Sequence, residues 1–344
     1  MTRPGAAPCA HGPAAPILQD TLPEASLTHH PAAPPATLRH PALADPWEAA
    51  LGMGPGTVMA VLIATHGPAY RNPGTTMAIA PDGRFAGALS SGCIEADLIL
   101  HAATVRAQDA PMQLRYGQGS PFIDLRLPCG GAIEVMLFAL RDPDVLADLS
   151  RARAARRPVS LSLSDTGRLS LDAPDGCGFT VAFKAPIRFV VFGAGPEASV
   201  FADLVQSMGY DHVLVSHEDQ TLSAAEAMGC TTRRLAHLPD VADLVPDDRC
   251  AALLFYHDHD YEPQILRGLL DSPAFYIGAQ GSRATQAARL DRLAALGVPP
   301  AARDRVRGPI GVIPSARDPR LLAISVLAEV VMAAGDQVVI PVTA

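Results

Sequence analysis

The sequence has 344 residues, a formal net charge of −8 and a hydrophobic fraction of 49%. A chain of this length exceeds the usual size of one domain, so we expect two domains with connecting segments. The acidic balance argues against a nucleic-acid partner, because a nucleic-acid surface requires clustered lysine and arginine. No apolar run approaches the roughly 18 residues of a membrane helix, and the N-terminus lacks a signal-peptide pattern. These features predict a soluble, cytoplasmic protein with no membrane partner.

The first half of the chain predicts a tail followed by a small domain. Residues 1–45 are rich in proline and alanine and lack periodicity, which is typical of a disordered tail. Residues 46–140 contain a buried strand, "TVMAVLIATH", a hairpin, "TTMAIAPDGRFAGALS", and a helix-like run from Cys93 to about Ala107. Three more strand-like runs follow, "MQLRYG", "FIDLRL" and "AIEVMLFAL". This pattern predicts an N-terminal α+β domain with an antiparallel or mixed sheet.

The second half predicts a different architecture. Residues 141–185 look like a helix followed by short strands and are interpreted as a connecting segment. Across residues 186–336 apolar strands alternate with amphipathic helices, which indicates a Rossmann-like domain with a parallel sheet. Residues 337–344 are a short tail. The predicted fold class is α/β overall.

A glycine-rich turn opens the predicted Rossmann-like domain. "VVFGAGPEA" places Gly193, Gly195 and Ala198 between an apolar strand and a helix, where the backbone can approach a pyrophosphate. The glycines could instead only form a tight turn. The next strand ends in Ser216, where an NAD-binding domain usually has an acid for the ribose hydroxyls. Either the ribose carries a phosphate that Ser216 and His217 contact, or the domain binds something other than NAD.

Two further polar clusters follow predicted strands, where open α/β sheets bind ligands. His257, Asp258 and His259 follow "CAALLFY"; they are either a polar loop or part of a metal site whose other ligands the sequence does not name. "YIGAQGSR" places Gly278 and Ser282 at a second helix entrance, with Arg283 able to pair with an anion.

The order and spacing of several motifs resemble the XdhC/CoxI family over about residues 51–334. The motifs are "GPAYRNPGTTMAI", "PDGRFAGALSSGCIE", "LPCGGAIEV", "VVFGAGPEA", "YHDHDYE", "YIGAQGSR" and "GPIGVIPSARDPRLLAISVLAEVV". The resemblance implies a non-catalytic chaperone that binds molybdenum cofactor, either as molybdopterin or in a dinucleotide form, and delivers it to an apo molybdenum hydroxylase of the xanthine dehydrogenase type. It also implies a cofactor sulfurase or nucleotidyltransferase as a partner, and a homodimer.

Cys93 is the candidate metal ligand. If its helix starts at Gly92, Cys93 lies in the first turn, where the helix dipole favours a thiolate suited to a molybdenum centre or its sulfur. Cys93 could instead be a small buried hydrophobe. Glu95 is a cofactor-site candidate that could equally cap a backbone amide at the helix start.

Two more groups complete the candidate cofactor site of the N-terminal domain. Cys129 precedes Gly130 and Gly131, which would let the backbone approach a flat ligand such as a pterin. Arg71, in a loop stiffened by proline and glycine, could pair with the cofactor's phosphate or be a solvated arginine on a turn.

Two other functions stay open at this point. An NADP-dependent oxidoreductase would use the Rossmann-like turn together with the non-acidic Ser216. A purely structural assembly factor would bind the apo-enzyme without any cofactor.

Overall fold

In the computed structural model, the described residues are 44–90, 92, 94–120, 130–172, 178–235, 244–245, 247–256 and 261–335. The predicted tails fall almost entirely outside these ranges, as do Cys93, Cys129 and the predicted strand "FIDLRL". Within the described residues, no helix is long and apolar enough to cross a membrane.

The first sheet is antiparallel throughout, as predicted for the N-terminal part. Its strands are β1 (Val58–His66), β2 (Thr76–Ile79), β3 (Phe85–Ala86), β4 (Met112–Gly117) and β5 (Ala132–Ala139). They are ordered β3-β2-β1-β5-β4, and each neighbouring pair is antiparallel. The predicted hairpin is confirmed: β2 and β3 are joined by a turn in which Gly83 has φ +87°.

Each face of this sheet is buried against other elements. Because side chains alternate across a strand, Ala60 and Leu62 of β1 face one core while Met59 and Val61 face the other. Helix α2 (Glu95–Gln108) covers the first face. The second face packs against α1 (Pro46–Met53), α3 (Pro143–Ala154) and a three-stranded antiparallel sheet. That sheet consists of β6 (Val159–Leu163), β7 (Leu169–Leu171) and β8 (Phe179–Phe183), in the order β7-β6-β8.

The C-terminal part is a parallel Rossmann-like sheet, which confirms the predicted fold class. Its strands are β9 (Arg188–Gly193), β10 (Asp211–Ser216), β11 (Thr232–Arg234), β12 (Cys250–Phe255), β13 (Tyr276–Ala279) and β14 (Val306–Arg307). Their order is β11-β10-β9-β12-β13-β14, and all neighbours are parallel. The strand order reverses between β9 and β12, which is where doubly wound sheets open a crevice for a ligand.

Helices flank the parallel sheet. They are α4 (Pro196–Ser207), α5 (Asp219–Ala227), α6 (Glu262–Leu270), α7 (Arg283–Ala295), α8 (Pro300–Arg303) and α9 (Pro319–Ala333). Two hydrophobic clusters bury the sheet's two faces, one containing α4 and α9 side chains and the other containing α6 and α7 side chains. The four central strands β10, β9, β12 and β13 are nearly continuously buried because they are covered on both faces.

Arg156, which follows α3, contacts the amino ends of the parallel strands. Its guanidinium donates to Asp247 at 2.6 and 3.0 Å and to the Pro186 carbonyl at 3.0 Å, and it lies 3.5 Å from Asp211. Asp211 begins β10, and Asp247 lies just before β12. The carboxyl ends of the strands are therefore at the edge remote from this contact.

Candidate functional site

The predicted site residues of the N-terminal part follow a single edge of the first sheet. At this edge β1 ends at His66 and β5 begins at Ala132, which pairs with both His66 and Gly117, the last residue of β4. Strand β2 begins and the antiparallel β3 ends on the same side. We call this the loop edge; it is bounded by connections 67–75, 87–94 and 118–131. Arg71, Gly92 and Gly130 all belong to these connections.

Helix α2 begins later than the sequence suggests. Its first helical residue is Glu95 and its N-cap position is Ile94, so the predicted start at Gly92 is wrong. Gly92 has φ +103°, a left-handed conformation that ends the preceding turn instead of starting the helix. The proposed place of Cys93 in the first helical turn therefore loses its basis, and Cys93 itself lies outside the described residues.

Glu95 is buried and folds back over the residues before its helix. Its Oε1 accepts from the amides of Leu89 and Ser90 at 3.1 and 2.7 Å. Its Oε2 accepts from the Ser90 hydroxyl at 2.7 Å and from the Ile94 amide at 3.3 Å. The Ser90 hydroxyl in turn accepts from the amide of Gly92 at 3.2 Å. One carboxylate thus holds Leu89, Ser90 and Ile94, which is the capping alternative in an extended form.

The start of α2 is also tied to the loop edge. The Tyr116 hydroxyl, at the end of β4, donates to Asp97 at 2.6 Å. Tyr116 is fully buried, and burial followed by the contact with Asp97 raises the pKa of its hydroxyl. It therefore stays a protonated donor at any physiological pH and fixes α2 against the sheet.

The two glycines after Cys129 have different environments. A Cβ on Gly131 would lie 2.1 Å from the Pro68 carbonyl oxygen, so this glycine lets connection 67–75 pack against β5. Gly130 has φ +75°, and a Cβ there would meet no atom of the described residues within 4 Å. Arg71 is exposed in connection 67–75. Gly130 and Arg71 are thus accessible to a ligand, whereas Gly131 serves the packing of the edge.

The glycine-rich turn of the parallel sheet has the expected strand-to-helix geometry. A Cβ on Gly193 would lie 2.8 Å from the Phe255 carbonyl oxygen and from Ala198 Cβ, so Gly193 and the buried Ala198 allow α4 to pack closely on the sheet. Gly195 has φ +92° and occupies the N-cap position of α4. This close approach is one of the roles that glycines have in such turns.

Carboxylates surround the amide of Gly195. This amide donates to Glu218 Oε2 at 3.1 Å and to the Thr221 hydroxyl at 2.8 Å, and Thr221 donates to the same carboxylate. A Cβ on Gly195 would lie 3.6 Å from Glu197 Oε2. An acid therefore does lie beside the glycine turn, but it is Glu218, two residues after Ser216, and it is bonded to the turn itself. The sequence did not identify Glu218 as a site residue because the usual spacing places the acid at the end of the strand. Here the acid belongs to the turn after the strand, and its side chain reaches the Gly195 amide.

Ser216 lies inside the sheet. It is fully buried, and its hydroxyl accepts from the Glu218 amide at 3.2 Å. This bond orients Glu218 toward the glycine turn, so the Ser216 side chain bonds to the protein backbone and not to a ligand.

Three aromatic rings lie beyond the carboxyl ends of β10 and β12. His217 stacks on Tyr261 with ring centroids 4.4 Å apart and planes 19° apart, and Tyr256 lies 5.8 Å from His217 and 5.9 Å from Tyr261 at 25° to each. Tyr256 is 2% exposed and Tyr261 is 42% exposed. The group, which we call the ring stack, runs from the interior to the surface. Its only sequence signal was the position of its members after strand ends.

The remaining predicted site residues have different environments: one serves packing, one caps a helix and one is exposed. Gly278 lies within β13, where a Cβ would come within 2.7 Å of Ile310 and 2.5 Å of the Tyr276 ring, so it serves packing. Ser282 is the N-cap of α7 and accepts from the Thr285 amide at 3.1 Å. Arg283 is exposed at the start of that helix. His257, Asp258 and His259 lie outside the described residues, within which no cluster of three potential metal ligands is found.

Comparison with known proteins places both parts of the chain in one group. The model of the XdhC and CoxI family matches residues 51–117, and the model of the XdhC Rossmann domain matches residues 189–330. The molybdenum cofactor insertion chaperone PaoD of Escherichia coli K12 is 33% identical over 288 residues, covering 82% of this chain and 84% of that protein. A Bacillus subtilis 168 protein described as a probable xanthine dehydrogenase component is 24% identical over 313 residues, covering 80% and 92%.

A solved structure shares the fold. The crystal structure described as a xanthine dehydrogenase from Bacillus halodurans has a TM-score of 0.67 and 24% sequence identity, and the match covers 86% of this chain and 96% of that one. By its two family matches and its identity with PaoD over most of both proteins, the chain belongs to the XdhC and CoxI family.

Proposed function

We propose that this protein is a non-catalytic chaperone that binds molybdenum cofactor as cargo in the cytoplasm and delivers it to an apo molybdenum hydroxylase of the xanthine dehydrogenase type. The observation that carries the proposal is the identity with a molybdenum cofactor insertion chaperone across both the first sheet and the parallel sheet. A sulfurase or nucleotidyltransferase that completes the cofactor, and a homodimeric form of the chaperone, belong to the same proposal.

The loop edge suits a large, flat, anionic cargo. Gly92 and Gly130 both have positive φ, and among the described residues a Cβ at either position would meet no atom within 4 Å, which supports access of a ligand to the backbone there. Arg71 offers an exposed guanidinium on a neighbouring connection, and guanidinium groups bind phosphate through paired hydrogen bonds. Glu95 holds Leu89 and Ser90 of connection 87–94, to which Gly92 also belongs. These features support cargo binding by Arg71 and by the segment containing Cys93.

The geometry at Gly195 disfavours the dehydrogenase alternative. In an NADP-binding turn the glycine amides face a pyrophosphate, but here the Gly195 amide donates to the Glu218 carboxylate. Glu197 lies nearby, so a pyrophosphate or a ribose phosphate would meet two negative charges. An NADP-dependent oxidoreductase would bind NADPH saturably, whereas the chaperone is expected to show no such binding in a titration.

Cargo binding is tested by measuring molybdenum retention. The purified full chain is incubated with molybdenum cofactor under anaerobic conditions, free ligand is removed by gel filtration, and bound molybdenum is determined by mass spectrometry. Cys93→Ala is compared with Cys9→Ala, a matched loss of one thiol outside the region that the family models match. We expect about one molybdenum per chain for the wild type and Cys9→Ala, and a reduced amount for Cys93→Ala.

Three outcomes would correct the proposal. No retention by the wild type would defeat cargo binding. Equal retention by Cys93→Ala would defeat the thiol ligand but not the chaperone. Activation of an apo molybdenum hydroxylase by protein that never held molybdenum would instead favour a structural assembly factor.

A further inference from the structure

The ring stack of His217, Tyr256 and Tyr261 reaches the surface at one of its members. The exposed ring is Tyr261, and the buried end is Tyr256. Aromatic rings in this arrangement bind planar heterocycles by stacking, as single-stranded nucleic-acid sites do for bases. The stack lies at the carboxyl ends of β10 and β12, on either side of β9, next to the point where the strand order reverses.

Three of the eight buried polar side-chain atoms that lack a hydrogen-bond partner in the described part of the chain lie at the same edge. Among the described residues, His217 Nδ1, the Tyr256 hydroxyl and Gln280 Oε1 are buried and make no hydrogen bond, and each belongs to a residue that directly follows a strand of the parallel sheet. A buried unpaired polar group is unfavourable, and native proteins keep few of them without a function. Burial raises the pKa of Tyr256, so its hydroxyl remains a donor.

Glu218 determines which ligand groups can bind beside the ring stack. Its carboxylate lies one residue after His217 and accepts from Gly195 and Thr221. A carboxylate accepts hydrogen bonds from hydroxyl or amino groups and repels phosphate. The adjoining ligand group should therefore carry O–H or N–H donors and no phosphate at the glycine turn.

We propose that the ring stack and Glu218 form a binding site for a planar nitrogen heterocycle bearing O–H or N–H donors, the ring stacking on Tyr261 and the donors meeting Glu218. The inference rests on the proposed function, since two parts of molybdenum cofactor have this chemistry: the nucleoside of a dinucleotide form and the pterin ring. Arg71 and the loop edge then bind the rest of the cargo or a separate cargo molecule.

Binding of the isolated heterocycles tests the site. The full chain is titrated by calorimetry with cytidine, guanosine and a free pterin, and with the 5′-diphosphates of the two nucleosides. Binding of a nucleoside assigns the site to the nucleotide half of the cofactor, and binding of the pterin alone assigns it to the pterin half. For the wild type, the unphosphorylated ligand is expected to bind at least as tightly as its diphosphate.

Variants separate stacking from folding. Tyr261→Ala is expected to weaken binding about ten-fold to one hundred-fold, the range for loss of one stacking partner. Tyr261→Phe keeps the ring and is expected to bind within about two-fold of the wild type. Met208→Ala truncates a similarly exposed large side chain at the end of α4 remote from the glycine turn and is the matched control. Glu218→Gln removes the negative charge, so the diphosphate should gain affinity relative to the nucleoside.

The proposal is overturned if none of the three heterocycles binds, if Tyr261→Ala binds as the wild type does, or if the wild type prefers diphosphates strongly. These results are distinguishable from failure of the proposed function. Molybdenum retention without heterocycle binding would remove this site and leave the chaperone, whereas heterocycle binding without molybdenum retention would do the reverse.

Discussion

The Glu95 carboxylate holds Ser90 with both of its oxygens: Oε1 accepts from the Ser90 amide and Oε2 from the Ser90 hydroxyl, each at 2.7 Å. The same carboxylate reaches Leu89 and Ile94, so one side chain at the start of α2 determines the path of the preceding connection. One buried acid thus accepts from described residues that precede and follow Cys93 in the sequence, and this gives Glu95 a positioning role.

Loss of this acid should destabilise the connection and the fold. In Glu95→Ala four donors lose their acceptor, and we expect the free energy of unfolding to fall by about 2–4 kcal/mol. Glu95→Gln keeps one acceptor oxygen and should cost less. Urea unfolding measures both, and hydrogen exchange at the Ser90 amide reports on the connection itself. Unchanged exchange at Ser90 in the alanine variant would contradict the role given to Glu95.

Sequence patterns predicted the sheets better than the sites. Long apolar runs such as β1 and β12 are buried whatever surrounds them, so their identity and the parallel or antiparallel arrangement could be read from periodicity and order. The start of α2 could not, because the conformation of Gly92 and the fold-back of Glu95 depend on contacts with Leu89 and Ser90.

The contacts at the carboxyl ends of the parallel strands could not be predicted from the sequence either. The Glu218 carboxylate accepts from the Gly195 amide while the buried Ser216 hydroxyl accepts from the Glu218 amide. These bonds connect the end of β10 with the turn after β9, a contact that sequence spacing does not reveal. The stacking of His217 and Tyr261 joins positions far apart in sequence. The domain boundaries drawn from composition, including that of connecting segment 141–185, remain a prediction.

The ion pair of Arg156 and Asp247 should make the free energy of unfolding depend on pH under acidic conditions. Burial alone would raise the pKa of Asp247, but hydrogen bonds from Arg156 and from the Arg249 amide outweigh it and lower the pKa. A lowered folded-state pKa means that this stabilisation is complete above the unfolded pKa of about 4 and is lost as the pH falls through the folded value. Asp247→Asn should therefore flatten part of the acid limb of a stability–pH curve.

The matched control for this pair is Asp82→Asn. Asp82 also has a lowered pKa, through hydrogen bonds from the side chain and amide of Arg84, but it is exposed in a turn. Solvent screens such exposed pairs, so this variant should change the curve little. Chemical denaturation at pH values between about 3 and 7 gives both curves; equal slopes for the wild type and Asp247→Asn would refute the coupling.

The thiols of Cys230 and Cys250 should not react with alkylating reagents in the native protein. Both are buried, and burial raises the pKa of each to about 11. At about pH 8 only about a thousandth of each is thiolate, the form that reacts. Native protein treated with iodoacetamide should therefore carry no label at these two positions by peptide mass spectrometry, whereas denatured protein should be labelled at both. Native labelling at Cys250 faster than at an exposed reference thiol would show that its environment opens in solution.

Glu262 and Arg289 form a buried ion pair that fixes the carboxyl end of β13. Their side chains are 1% and 2% exposed, and the guanidinium donates to the two carboxylate oxygens at 2.8 and 3.1 Å. Arg289 also donates to the backbone carbonyl of Gln280 at 2.7 Å, directly after β13. Removing one partner takes this ion pair from the other, buried charge, so Arg289→Met or Glu262→Leu alone should lower the free energy of unfolding by about 3–5 kcal/mol.

The double variant distinguishes an energetic role from a positional one. Replacing a buried ion pair by apolar side chains is often close to neutral, so Glu262→Leu with Arg289→Met should be more stable than either single variant. The Gln280 carbonyl would still lose its donor, so the double variant should keep most of its stability but show faster hydrogen exchange around residues 280–286. Additive losses from the two single variants, measured by urea unfolding, would mean that the pair is not coupled.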